Sequence, residues 1–299
     1  MQPKRSRISG GTAFSLGLAV IVGIGLLNYQ TLVDEYALAS YKPTPEVSDF
    51  ESRIALTREA RAIFYRANPK FDDKAVFNQD CETRPHELEL GCFFRSRIFI
   101  LKIENASLAP EMDVVSAHEL LHAAWVRLTA RERAELTDEL QRVYKLVADE
   151  DLKQRMASYA RSEPGEEANE LHSILGTEFL NLSPMLETHY AEYFPNRSQI
   201  VAAHSKYEAV FNSRRGELER QLATIRAQKA QLSVLNRQLD GFKSSGQISA
   251  YNELVPKQNR LVDDINAKID EYRRGVDEYN ALSKSLDSTE IVDTEAAAQ

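Results

Sequence analysis

The sequence is short of basic residues. Its 37 Lys and Arg stand against 45 Asp and Glu, a formal net charge of -8, and no long basic run offsets that balance locally. Such a chain repels a polyanion, which excludes nucleic acid as a general partner. Cysteine is nearly absent. The two present, Cys81 and Cys92, are not spaced as C-x-x-C, which excludes a zinc site built on cysteine. They can close one short disulfide in an oxidising compartment or remain two buried thiols in a reducing one. β-type sequence is scarce too, since Arg97-Ile98-Phe99-Ile100-Leu101-Lys102-Ile103 is the only strong run of it. The fold class expected is therefore mainly α with a small β element. Ordinary shares of apolar residues (43%) and charged residues (27%) mark a folded protein, and the length leaves room for more than one domain.

Charge is missing altogether between Ile8 and Leu27, a run rich in Gly, Ala, Leu, Ile and Val that follows Lys4, Arg5 and Arg7. Its length is about what a helix needs to cross a bilayer. The basic start should then stay in the cytoplasm, with everything after Asp34 outside. A cleaved signal peptide is the rival, because Ala37-Leu38-Ala39 resembles a small-residue cleavage site, yet Ala39 lies well past a run already longer than a usual signal core. An uncleaved single-pass anchor over residues 1–30 is the reading favoured, with secretion as the alternative. In either case the body is extracytoplasmic. That tips Cys81 and Cys92 toward a disulfide, which would contribute on the order of 2–3 kcal/mol.

Beyond the anchor, Pro43 and Pro45 suggest an extended linker over residues 31–45, followed by one helix from Glu46 to Arg66 with Phe50, Ile54, Ile63 and Phe64 inward. Phe71 to Gly91 reads as irregular. A helix capped by Asp113 is expected to reach about Leu128, with further helices at Arg131–Val147 and Asp151–Arg161. From residue 199 the apolar steps change to alternating threes and fours: Phe211, Leu218, Leu222, Ile225, Leu232 and Leu239, with Lys229 and Asn236 in two core slots. After Gly241, Ser244, Ser245 and Gly246 the rhythm resumes through Leu254, Leu261, Ile265, Tyr272, Val276 and Tyr279. Residues 199–287 thus predict an antiparallel coiled-coil hairpin, a spacer, gate or surface for a protein partner. The acidic, Ala-rich tail over 288–299 is expected to be disordered.

The chemistry gathers at Val115-Ser116-Ala117-His118-Glu119-Leu120-Leu121-His122-Ala123. On a helix, His118 and His122 share one face and can turn two imidazole nitrogens on one ion, while Glu119 sits a step round, placed to take a proton from a bound water. An accidental core helix would instead have to bury three polar side chains, each needing a partner. H-E-x-x-H in so apolar a run resembles the active-site helix of the zincin metallopeptidases. That resemblance implies a zinc ion held by His118 and His122, with Glu119 as general base. His86-Glu87 is no second copy, because position 90 is Leu.

A catalytic zinc needs a third protein ligand and an open position. Asn169-Glu170-Leu171-His172-Ser173 is similar to the third-ligand segment of the gluzincin branch, which implies Glu170 as that ligand. Glu178 stays open as the alternative, being on the same side of a helix, and His172 is a weaker one. Ile174 stands where thermolysin-like enzymes carry the acidic residue that orients a histidine ligand, leaving that support unidentified. The metzincin pattern is not met, since Trp125 and Leu128 replace its Gly and His. Tyr190, Tyr193 or His189 could stabilise an oxyanion, against the commoner use of such rings as core. The β run could serve as the edge strand to which zincins add an extended substrate, against a plain structural hairpin.

These readings together predict an extracytoplasmic, membrane-anchored zinc peptidase: a zincin-like α+β domain over 46–198 followed by the helical arm, with a peptide or protein as substrate. The alternative is a non-catalytic envelope scaffold whose arm recruits a partner.

Overall fold

The computed structural model describes residues 29–81 and 90–286. The expected anchor, apart from its last two residues, lies outside the described residues, as do His86-Glu87 and the tail. Among the described residues no helix is long and apolar enough to cross a membrane. The described residues are mainly helical, with one small three-stranded sheet.

The expected linker is largely a helix, α1 (Tyr29–Ser40). Only residues 41–44 run without regular structure, ending at Thr44, which caps α2 (Pro45–Ile54) with Pro at its first position. The single helix expected over 46–66 is two. Ala55 adopts a left-handed conformation (φ 55°) that stops α2, and Thr57 caps α3 (Arg58–Arg66) by accepting from Ala60 N. Strand β1 (Lys70–Asp72) and α4 (Lys74–Asp80) follow. Cys81 and Cys92 are disulfide-bonded. Strands β2 (Gly91–Phe94) and β3 (Arg97–Leu101) complete the sheet in the order β1-β3-β2. Of the two readings of the β run, substrate edge or structural hairpin, the sheet order favours the second, since β3 is the central strand and is flanked on both sides.

Helix α5 (Glu111–Trp125) carries the H-E-x-x-H residues. It begins before Asp113, which lies in its first turn and is not its cap, and it closes short of Leu128. Then come α6 (Ala130–Val147), α7 (Glu150–Ser162), α8 (Glu167–Glu178) and α9 (Pro184–Ala191). Two long helices complete the described residues: α10 (Arg197–Ser244) and α11 (Ile248–Ser285).

The described residues divide into two compact units. One is drawn from the chain up to Phe71, Cys92–Ile100 and Ser116–Gln199, the other from Asp72–Gly91, Leu101–Val115 and the chain from Ile200 onward. In the first, α6 and α7 pack on α8, α9 packs on α6, and α1 packs on α3. Phe50, Phe64, Leu120, Leu121, Leu140 and Tyr190 are fully buried there. In the second, α10 and α11 lie antiparallel, with Arg214 donating to Glu278 at 3.2 Å near one end and Gln258 donating to Asn236 at 2.8 Å near the other. Leu218, Ile225, Tyr272, Val276 and Tyr279 form the seam. Leu235 is buried where Asn236 was expected to fill a core slot, and Asn236 is exposed.

Candidate metal centre

Helix α5 owes its place to its apolar residues. Ala117, Leu120, Leu121 and Ala124 are essentially inaccessible, fixing the helix rotation so that His118 and His122 share another face. Their rings lie edge to face, with centroids 4.7 Å apart. Helix α8 is packed against this one closely enough that one contact requires glycine. A Cβ on Gly176 would come within 2.5 Å of Leu121 Cδ1 and 2.7 Å of Tyr190 Cε1. The end of α8 is tied down by Arg197, only 6% exposed, whose guanidinium donates to the carbonyls of Gly176 and Phe179 and to Glu187. A buried cation at a helix C-terminus meets the negative end of the helix dipole.

This packing delivers Glu170. His118 Nε2 lies 3.7 Å from Glu170 Oε2, and His122 Nε2 lies 3.6 Å from Glu170 Oε1. One donor atom from each of the three residues can be chosen so that all lie within 4.8 Å of one another. These separations are too long for hydrogen bonds. The two imidazole-to-carboxylate separations are close to those of a shared ion, whose ligands at about 2.0–2.2 Å from one tetrahedral centre stand roughly 3.4 Å from each other. The His118 side chain keeps 17% of its exposure, so solvent reaches the cluster.

The tautomer of His122 is set by its neighbours. Its Nδ1 lies 2.9 Å from Asn169 Oδ1 and 3.3 Å from Ser173 Oγ. The amide orientation of Asn169 is fixed in turn, because its Nδ2 donates to Glu166 Oε2 at 3.1 Å. The acceptor oxygen therefore faces the ring, Nδ1 carries the hydrogen, and Nε2 keeps its lone pair toward Glu170. Asn169 and Ser173 are the support that the sequence left unidentified at Ile174. The signal was present in the very segment that suggested Glu170, since both residues lie within one turn of it.

Other candidates are placed elsewhere. Glu178 pairs with Arg155 through both carboxylate oxygens, one contact at 2.9 Å, and is not part of the cluster. His172 is fully buried, with Nε2 against His189 Nε2 at 2.8 Å, so one of the two rings donates to the other. Burial holds His172 neutral, well below its usual pKa, helped by the nearby imidazoles of His189, His122 and His118. Burial likewise lowers His189 to about 4, only partly opposed by Glu132. The Tyr190 hydroxyl donates to the His172 carbonyl at 2.8 Å, which commits it to the core, and Tyr193 is 3% exposed with its ring against His189. At Tyr190 the hydroxyl hydrogen is already committed to the His172 carbonyl, in keeping with the commoner use of such rings as core. Glu119 is buried on α5 directly after His118.

No protein-family model, curated protein or solved structure matches the chain. The chemistry of the site has to be read from its own atoms. Two imidazole nitrogens and a carboxylate oxygen, without a thiolate, form a donor set that could hold a divalent transition metal, zinc among them.

Proposed function

We propose that the protein is a zinc-dependent peptidase of the zincin type, anchored in a membrane by residues 8–27 with its body extracytoplasmic. The observation that carries this reading is the convergence of His118 Nε2 and His122 Nε2 on the two oxygens of Glu170, with Asn169 holding His122 in the ligating tautomer. A zinc ion bound there would supply Lewis acidity toward a carbonyl and acidify a water. The side chains have separable tasks. His118, His122 and Glu170 hold the ion, and Asn169 and Ser173 keep the His122 ring from turning. Glu119, next to the ligand pair yet outside it, accepts the proton of the attacking water and returns it to the leaving amine. With Glu170 the only anionic group among the three residues that would hold it, a bound dication would keep a net positive charge for polarising a carbonyl.

The test is metal analysis combined with turnover. Purified full chain is expected to hold about one zinc per molecule, lost in His118→Ala, His122→Ala and Glu170→Gln but kept in Glu119→Gln, which should lose peptide hydrolysis. Wild-type protein without metal under zinc-replete conditions would remove the enzyme reading. Retained zinc with no turnover of a broad peptide library would favour the envelope scaffold.

A further inference from the structure

Helix α1 has two faces of opposite character. One is tied to the body by charge: Asp34 pairs with Arg127 and, at 3.6 Å, with Arg66, and Gln30 accepts from Arg127 at 3.1 Å. Ala37 is buried beneath that face. At its margin with the other face, the exposed Glu35 takes both guanidinium nitrogens of Arg58. On the other side Tyr29, Leu32 and Tyr36 recur at helical spacing and are 57%, 59% and 71% exposed. Ion pairs fix the helix rotation, so this apolar stripe cannot turn inward without breaking them.

What covers it follows from the chain before it. The uncharged run ends at Leu27, and only Asn28 separates it from Tyr29. If that run crosses a bilayer, α1 starts in the headgroup layer, where amphipathic aromatic side chains are favoured and Leu can enter the acyl boundary. We propose that the Tyr29, Leu32 and Tyr36 face of α1 is a lipid-contacting surface that seats the metal-bearing unit against the outer leaflet. The ion pairs behind it transmit that seating to the end of the metal helix, because Arg127 follows α5 by two residues. The substrates within reach are then peptides or loops lying at the membrane surface. The lipid contact rests on the anchor reading and not on the metal chemistry; only its consequence for substrates rests on the peptidase reading as well.

The full chain in lipid vesicles tests it. Both native cysteines are disulfide-bonded, so a single introduced cysteine can carry a small fluorophore. Labels at Tyr29→Cys, Leu32→Cys and Tyr36→Cys should be quenched strongly by nitroxide-bearing lipid and weakly by aqueous iodide, with blue-shifted emission. Leu146→Cys, at a site 73% exposed on α6, should show the reverse. Iodide quenching at position 32 equal to that at 146, in protein that floats with the vesicles, overturns the surface and leaves the anchor standing. Protein that fails to float overturns both. Protection of position 32 from both quenchers, or disulfide-linked dimers of Leu32→Cys, would assign the face to another part of the chain or to a second copy and overturn the proposal.

Discussion

Asn169 separates holding a metal from positioning it. Its Oδ1 accepts from His122 Nδ1 at 2.9 Å, and it does not belong to the His118, His122 and Glu170 cluster. Asn169→Ala should lower zinc affinity by roughly 10–100-fold, as loss of such an orienting partner commonly does. Asn169→Asp should keep most of it, because an acceptor remains. Chelator competition reads both, and equal affinity in Asn169→Ala and wild type would show that Ser173 alone orients the ring. The pair His172 and His189 makes a pH prediction. Because burial lowers His189 to about 4, the unfolded chain takes up its proton first as pH falls through 6.5. The stability involved is fully present above that pH and is lost on the way down to 4, about 2 kcal/mol of it near pH 5. Protonation would also leave two N–H groups facing each other at 2.8 Å. Melting of chelator-treated protein between pH 7 and 4.5 should therefore fall less steeply for His189→Asn than for wild type.

At the scale of elements, the α5 and α8 contact sets the geometry of the centre, and Gly176 sets the contact. The Cβ of Gly176→Ala would enter the space of Leu121 and Tyr190. Forcing the helices apart should cost about 1–3 kcal/mol and carry Glu170 away from the imidazoles, so melting temperature and zinc affinity should fall together. An unchanged affinity in a destabilised variant would mean that α8 slides without withdrawing Glu170. Sequence made the two helices of the centre legible because their signals are local: ligand spacing on α5, and the Glu170 segment on α8. It did not reveal α1, because Pro43 and Pro45 point to a linker and the helix is held by ion pairs more than by an apolar stripe turned inward. The break at Ala55 was hidden because a left-handed alanine leaves no compositional trace. The central place of β3 depends on β1, whose three residues are too few to announce a strand. Arg197 was missed as a cap because the carbonyls it collects lie about 20 residues away in sequence.

At the scale of the whole molecule, the α5 residues up to Val115 belong to one compact unit and those from Ser116 to the other, and every candidate residue of the centre belongs to the latter. His118, Glu119, His122, Asn169, Glu170 and Ser173 all lie within Ser116–Gln199. The arm has its own core. Val276 is completely buried between Leu218, Ile225, Tyr272 and Tyr279, and Gly275 leaves room for Leu218, which would otherwise meet a Cβ at 2.9 Å. An uncompensated carboxylate in that seam is costly enough to open it locally. Val276→Asp is therefore expected to lower helicity and raise protease sensitivity over residues 200–286 while zinc content stays at the wild-type level. If the ion were lost along with the arm, the metal-bearing unit would depend on the hairpin for its fold. If peptide turnover fell with zinc retained, the hairpin would act at the substrate stage, as a gate or partner surface. Unchanged zinc and unchanged turnover of soluble peptides would leave the arm a role outside the chemistry, as a spacer or partner surface.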